Sequence, residues 1–267
     1  MKPLSTRLGR CQKGRWNAAT LLLLLPCLAL TALPGPAAAN PPVPAAGHVG
    51  QRPAQPARPA EPTPAELSER LARMPVGDPT RGAKLYEQQF CASCHGQAGQ
   101  APTLNWPHTA GQRAAYSYKL LQDYQNGLRN EGERAALMRD AVQDLSAQAL
   151  ADLAAHMARQ PRAKAALRPP APSEAAAQAL RLVRDGDPKR LMTACASCHG
   201  ARGEGSLKAQ PALAGQNPAY LVRTLLDYHG GLRANDPAQG MRLFARRLSR
   251  QEIDALAQYY ATLGAPR

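Results

Sequence analysis

Large aromatic side chains are scarce in this sequence: two Phe, two Trp and eight Tyr make up 4% of 267 residues. Such side chains supply much of the bulk of an ordinary core. Domains of about 95 residues built from this composition alone would be marginal. Acidic residues are also few, 19 against 33 Lys and Arg, for a formal net charge of +14. The bases are scattered along the chain, which argues against nucleic acid as a partner. They suit docking to an acidic protein or peripheral association with an anionic membrane surface. Long apolar runs are missing too. Leu21–Leu33 is 13 residues long and broken by Pro26, whereas a spanning helix needs about 20.

That short run belongs to a targeting segment. Lys2, Arg7, Arg10, Lys13 and Arg15 precede it, and Ala37-Ala38-Ala39 offers a cleavage site after small residues. Residues 1–39 read as a signal peptide for export to an oxidising compartment. Its removal takes away five positive charges, leaving +9, and two of the six cysteines, Cys11 and Cys27. No cysteine then remains for a structural disulfide, although the compartment permits one.

The remaining four cysteines lie in one sequence that occurs twice, Cys91-Ala92-Ser93-Cys94-His95-Gly96 and Cys195-Ala196-Ser197-Cys198-His199-Gly200. C-x-x-C-H is the attachment pattern of a c-type haem. On a helical turn, positions i, i+3 and i+4 share a face. Two thiols there can bond the porphyrin vinyl groups while the histidine reaches the iron. A zinc ribbon would set its C-x-x-C pairs about 15–20 residues apart, but 100 residues separate Cys94 from Cys195. A thioredoxin-like dithiol would need a βαβ setting, and the flanking sequence reads as helical. Two covalently attached haem c groups, through Cys91, Cys94, Cys195 and Cys198, are therefore expected. They would supply the apolar bulk that the composition lacks, and a chain without haem should fold poorly.

The rest of the chain is organised around these two motifs. Residues 40–65 carry eight prolines and read as a proline-rich linker of polyproline character, a disordered tail after cleavage being the alternative. A first domain spans 66–165 and a second 166–267, each all-α with one haem. In the first, Asp78-Pro79 caps a helix from Thr80 to about Phe90. A second helix runs from Arg113 to about Asn126 and a last one starts near Ser146, with Met138 in a loop or short turn between them. Prolines between 161 and 173 separate the domains. The second domain repeats the first at an offset of 104, later 103. Gly186-Asp187-Pro188 answers Gly77-Asp78-Pro79, Gly215-Gln216 answers Gly111-Gln112, and Gly231-Leu232-Arg233 answers Gly127-Leu128-Arg129. Ser249 and Glu252 form a capping box for the final helix.

His95 and His199 each hold one side of an iron, and the repeat filters candidates for the other side. Met138 and Met241 lie 43 and 42 residues after those histidines, each seven residues before a Leu-Ser pair. Met74, Met157 and Met192 have no counterpart at the offset. His108, His156 and His229 align with Ala212, Tyr259 and Gln125, so a repeated bis-histidine design has no support, although His108 or His156 stays open as a ligand in the first domain alone. A carbonyl near Pro107 and Pro211 would suit the proximal histidine proton; a plain turn is the alternative. Arg129 and Arg233 either meet haem propionates or are solvated helix ends.

These residues together resemble class I cytochromes c, and their duplication in one exported chain resembles the dihaem cytochrome c4 type. The resemblance covers about 75–267. It implies two tandem cytochrome c-like domains facing each other, axial pairs His95–Met138 and His199–Met241, and electron transfer rather than catalysis. A quinol-oxidising complex or a dehydrogenase would be the donor and a terminal oxidase the acceptor. Asn105-Trp106-Pro107-His108-Thr109 departs from the family's usual Pro-x-Leu-Ala, and the long proline-rich arm is unusual for it. A dihaem electron-transfer subunit of a dehydrogenase complex would share every motif. A haem peroxidase or a gas sensor would need an iron that can open its sixth position, and the paired methionines count against both.

Overall fold

The computed structural model describes residues 59–60, 62–163, 171–207 and 209–264; the expected signal peptide and most of the expected linker lie outside them. The first half holds six helices: α1 (Pro64–Ala72), α2 (Pro79–Gln88), α3 (Ala92–His95), α4 (Ala114–Gln125), α5 (Glu133–Val142) and α6 (Ala147–Arg159). The second holds α7 (Glu174–Arg184), α8 (Ala196–His199), α9 (Pro218–His229), α10 (Gly240–Ala245) and α11 (Arg250–Thr262). Among the described residues there is no β-strand, only an isolated bridge between Asp187 and Met192. None of the described helices is long and apolar enough to cross a membrane.

The caps follow the sequence. Asp78 accepts from the backbone N–H of Thr80 at 2.7 Å and of Arg81 at 3.1 Å, and Pro79 takes the first helical position, where its missing N–H costs nothing. Ser249 and Glu252 close the expected capping box on α11. A second capping box, Thr63 with Glu66, starts α1 at the edge of the proline-rich stretch.

Two separate cores form, one per half. In the first, α2 crosses α6 where Gly82 faces the Asp152 carbonyl, so closely that a Cβ would sit 2.0 Å from that oxygen. Arg81 and Asp152 bridge the same crossing, Nε–Oδ2 at 2.7 Å and Nη2–Oδ1 at 2.8 Å. Leu150, Ala151 and Ala154 of α6 are fully buried there with Tyr118 and Tyr124 of α4. In the second half α7 and α9 both pack on α11, burying Leu182, Val183, Ile253 and Leu256.

Two expectations need correction. Met138 lies inside α5, not in a loop. Its helix presents Ala135, Met138 and Val142 to the core at i, i+3 and i+7, a stripe whose small first member weakens the periodic signal. Gly186-Asp187-Pro188 opens a single 3-10 turn, Pro188–Arg190, because Leu191 turns left-handed (φ 53°) and ends it. The helix that packs on α11 is α7, which comes before that turn.

The halves meet through a reciprocal contact. The Gln216 amide accepts from His108 N–H at 2.8 Å and donates to His108 C=O at 2.9 Å. The Gln112 amide does the same to Ala212, accepting at 2.8 Å and donating at 3.1 Å. Gripping and gripped residues are both related by the repeat offset, so the interface has an approximate twofold. Around it, Asn217 Nδ2 donates to the carbonyls of Thr103 (3.0 Å) and Trp106 (3.1 Å), and Arg113 Nε to that of Glu204 (2.8 Å). The stretch 105–109 that departs from the family pattern is thus where the second half holds the first. Beside it, a buried Lys119–Asp123 ion pair is closed by Asn235 of the second half, whose Nδ2 donates to Asp123 at 2.7 Å, and by Arg70 of α1 at 3.1 Å.

Candidate haem-binding sites

Each C-x-x-C-H motif folds as one helical turn. His95 N–H donates to Cys91 C=O at 3.0 Å, and His199 N–H to Cys195 C=O at 3.0 Å. The serine between the cysteines ties the turn's start in both copies, Ser93 Oγ to Phe90 C=O at 2.7 Å and Ser197 Oγ to Ala194 C=O at 2.6 Å. Gly96 (φ 76°) and Gly200 (φ 84°) end it in a left-handed conformation that only glycine takes readily. The turn therefore carries both thiols and the imidazole on one face.

The four thiols are free. Burial pushes those of Cys91 and Cys195 up to about 11. Burial of this kind disfavours the thiolate form of these two side chains. Among the described residues no three His, Cys, Asp or Glu side chains come together to hold a metal ion.

His95 and His199 are both buried, 8% and 7% exposed. Nδ1 of His95 lies 2.9 Å from Pro107 O, and Nδ1 of His199 lies 3.0 Å from Pro211 O. A carbonyl only accepts, so each Nδ1 carries the proton and each Nε2 keeps its lone pair for a metal. Burial lowers both imidazole pKa values, against the opposing effect of the proline carbonyl. Burial thus disfavours the charged ring, and ligation needs the neutral one.

Met157 and Met192 are buried in the two cores; Met74 is half-buried against the first, as Met138 is. Met138 and Met241 are half-buried, on α5 and in the first turn of α10. The rival histidines have other engagements. His108 Nδ1 accepts from Ala101 N–H at 2.9 Å, the His156 ring lies tilted against Tyr86 with centroids 5.2 Å apart, and His229 Nδ1 donates to Ala245 C=O at 2.9 Å.

Arg129 and Arg233 are buried, not solvated helix ends. Each guanidinium lies over the tyrosine five residues before it, 4.7 Å from the Tyr124 ring and 4.6 Å from the Tyr228 ring. Arg233 donates to Tyr116 OH across the interface at 3.2 Å and to Asn235 Oδ1 at 3.0 Å; Arg129 pairs with Glu131. Yet Nη1 of both arginines, and Nε of Arg129, are buried without an acceptor. Burial raises the phenol pKa of Tyr220, but the Arg233 and Arg129 charges beside it outweigh that and bring it down to about 8. Glu131 and Asp227 are the carboxylates near the two guanidiniums, and they leave those donors unpaired. A porphyrin with its carboxylates fits such a site: thiols at one-turn spacing, an imidazole with a free Nε2, and buried guanidinium donors in want of an anion. Bound there, haem iron supplies one-electron exchange between its ferrous and ferric states.

Sequence reasoning missed the contacts that join the halves. Gln112 and Gln216 were visible as a repeated Gly-Gln, but what their amides hold was not. Helix α1 also went unread, although Thr63-Pro64-x-Glu66 is a legible helix start.

A cytochrome c family model matches residues 79–160 and 187–264. The chain is 40% identical over 186 residues to cytochrome c4 of Thiocapsa roseopersicina, across 69% of this chain and 92% of that one. It is 34% identical over 192 residues to a thiosulfate dehydrogenase electron acceptor of Stutzerimonas stutzeri, across 68% of this chain and 86% of that one. The crystal structure of reduced recombinant cytochrome c4 from Pseudomonas stutzeri aligns with a TM-score of 0.62 at 33% identity, over 70% of this chain and 99% of that one. Two haem-binding halves, each with the same one-turn motif and carbonyl-held histidine, together with these likenesses, place the chain in the cytochrome c family as a dihaem electron carrier of the cytochrome c4 type with two covalently attached haem c groups.

Proposed function

We propose that this carrier works in the periplasm after cleavage before Asn40, taking electrons from a dehydrogenase or a quinol-oxidising complex and passing them towards a terminal oxidase. Cys91 and Cys94 bind one haem and Cys195 and Cys198 the other; His95 with Met138, and His199 with Met241, ligate the irons. The observation that carries this reading is the repetition of one closed design. Both histidines have the same carbonyl partner at nearly the same distance, and both halves offer a half-buried methionine at the same place in the repeat. In this scheme the protein's groups move no proton and break no bond. Pro107 and Pro211 orient the imidazoles, Arg129 and Arg233 neutralise haem carboxylates, and the core helices keep water from the iron. A second reading, electron acceptor of a thiosulfate-oxidising enzyme, is supported by the relative of that name.

The test is the optical spectrum of the haem-loaded protein with carbon monoxide added after reduction. Both ferric haems should show the methionine–iron charge-transfer band and neither ferrous haem should take up carbon monoxide. Ready binding at either site would refute the methionine assignment there and bring the sensor or peroxidase reading forward.

A further inference from the structure

The reciprocal glutamines reach further than the backbone they grip. His108 N–H, which donates to Gln216 Oε1 at 2.8 Å, belongs to the same peptide unit as Pro107 C=O, which accepts His95 Nδ1–H at 2.9 Å. In the other direction, Ala212 N–H donates to Gln112 Oε1 at 2.8 Å, and its peptide unit carries the Pro211 C=O that accepts from His199 at 3.0 Å. Each proximal histidine is thus one peptide group away from a side chain of the opposite half. Donation from a peptide N–H polarises the amide and strengthens its carbonyl as an acceptor. A stronger acceptor draws the Nδ1 proton, makes the imidazole a more basic ligand and favours ferric iron.

We propose that Gln216 tunes the iron of the first half and Gln112 the iron of the second, each across the interface through the peptide unit that holds the opposing histidine. The two amide oxygens are fixed for this task. Each also accepts the backbone N–H of the following residue at 2.8 Å, Arg113 for Gln112 and Asn217 for Gln216. The inference rests on His95 and His199 being the proximal ligands.

The experiment uses the full haem-loaded chain and the variants Gln216→Leu and Gln112→Leu. A redox titration is followed by NMR, with haem methyl signals assigned to each half and the histidine Nδ1–H resonances read in the reduced state. Gln216→Leu should raise the midpoint potential of the first-half haem and move the His95 Nδ1–H resonance upfield, leaving the second-half haem where it was. Gln112→Leu should give the mirror image. A shift in the haem of the variant's own half, equal shifts in both, or no shift would overturn the inference, since loosened docking alone has no crossed signature. If a Leu variant fails to fold, Gln216→Glu keeps an oxygen acceptor for His108 N–H, a stronger one because it is charged, and loses the donation to His108 C=O. It should leave the His95 resonance at or downfield of its original position, and an upfield move would count against the proposal. Absence of haem-shifted His95 ring signals in the parent protein would instead remove the ligand assignment, and this inference with it.

Discussion

Replacing Gly82 with alanine sets two effects of opposite sign against each other. On propensity alone, alanine in the middle of α2 should stabilise that helix by about 1 kcal/mol. At this position the new Cβ would lie 2.0 Å from the Asp152 carbonyl oxygen, 2.5 Å from its carbon and 2.8 Å from His156 Cβ. Two of those atoms are helix backbone and cannot swing aside. Restoring ordinary contact requires α2 and α6 to part by more than about 1 Å. Overpacking of this kind costs roughly 1–3 kcal/mol, and the parting also stretches the Arg81–Asp152 bridge, whose partly exposed geometry is worth about 1 kcal/mol. The clash should win by about 2 kcal/mol, which lowers the melting temperature by roughly 4–8 °C for a chain of this size. The assay is a reversible thermal melt of the haem-loaded protein followed by helical circular dichroism. Gly240→Ala is the control, because Gly240 has helical φ and ψ with no atom within 4 Å of its would-be Cβ; it should melt unchanged or slightly higher. A Gly82→Ala protein that melts at or above the parent temperature would refute the close-crossing argument.

Acid should act through two bridges. The Arg81 hydrogen bond holds Asp152 at about 2, and the Arg190 hydrogen bond holds Glu252 at about 2, below the ordinary carboxylate values near 4. Their stabilisation is present above about pH 4 and lost as pH falls through about 2, about 1 kcal/mol each once solvent screening is allowed for. Denaturant midpoints measured from pH 6 to 2 should show that slope, and Asp152→Asn with Glu252→Gln should flatten it. Arg233→Leu should cost at least about 2 kcal/mol through two lost charge-assisted bonds, and, by freeing a haem carboxylate to titrate, should make the midpoint potential vary more with pH near neutrality than the parent's does. A chain with Ser at 91, 94, 195 and 198 should lose cooperative unfolding, since its cores are built with few large side chains.

The haem motifs, the caps at Asp78 and Ser249 and the proline carbonyl partners were readable because each depends on neighbours in sequence or on the repeat. Helix α5 was not, since Ala135 gives its buried stripe too little bulk for a periodic signal. The 3-10 turn at Pro188 was hidden because Asp-Pro caps a turn as well as a helix; only Leu191 (φ 53°) decides which. The interface was beyond reach for a different reason. Gln112 and Gln216 hold backbone, and backbone carries no residue-type signal at the gripped position.

The same fact has a consequence for how such a chain can change. Because the grip reads only N–H and C=O, the gripped residue is free to be His108 in one half and Ala212 in the other. The copies can diverge in chemistry at that point while keeping their mutual geometry. Each half also carries both a gripping amide and a gripped peptide. Two identical halves could therefore pair by the same four bonds as an isologous dimer, so that at those four bonds the two-domain chain is arranged as a homodimer joined end to end.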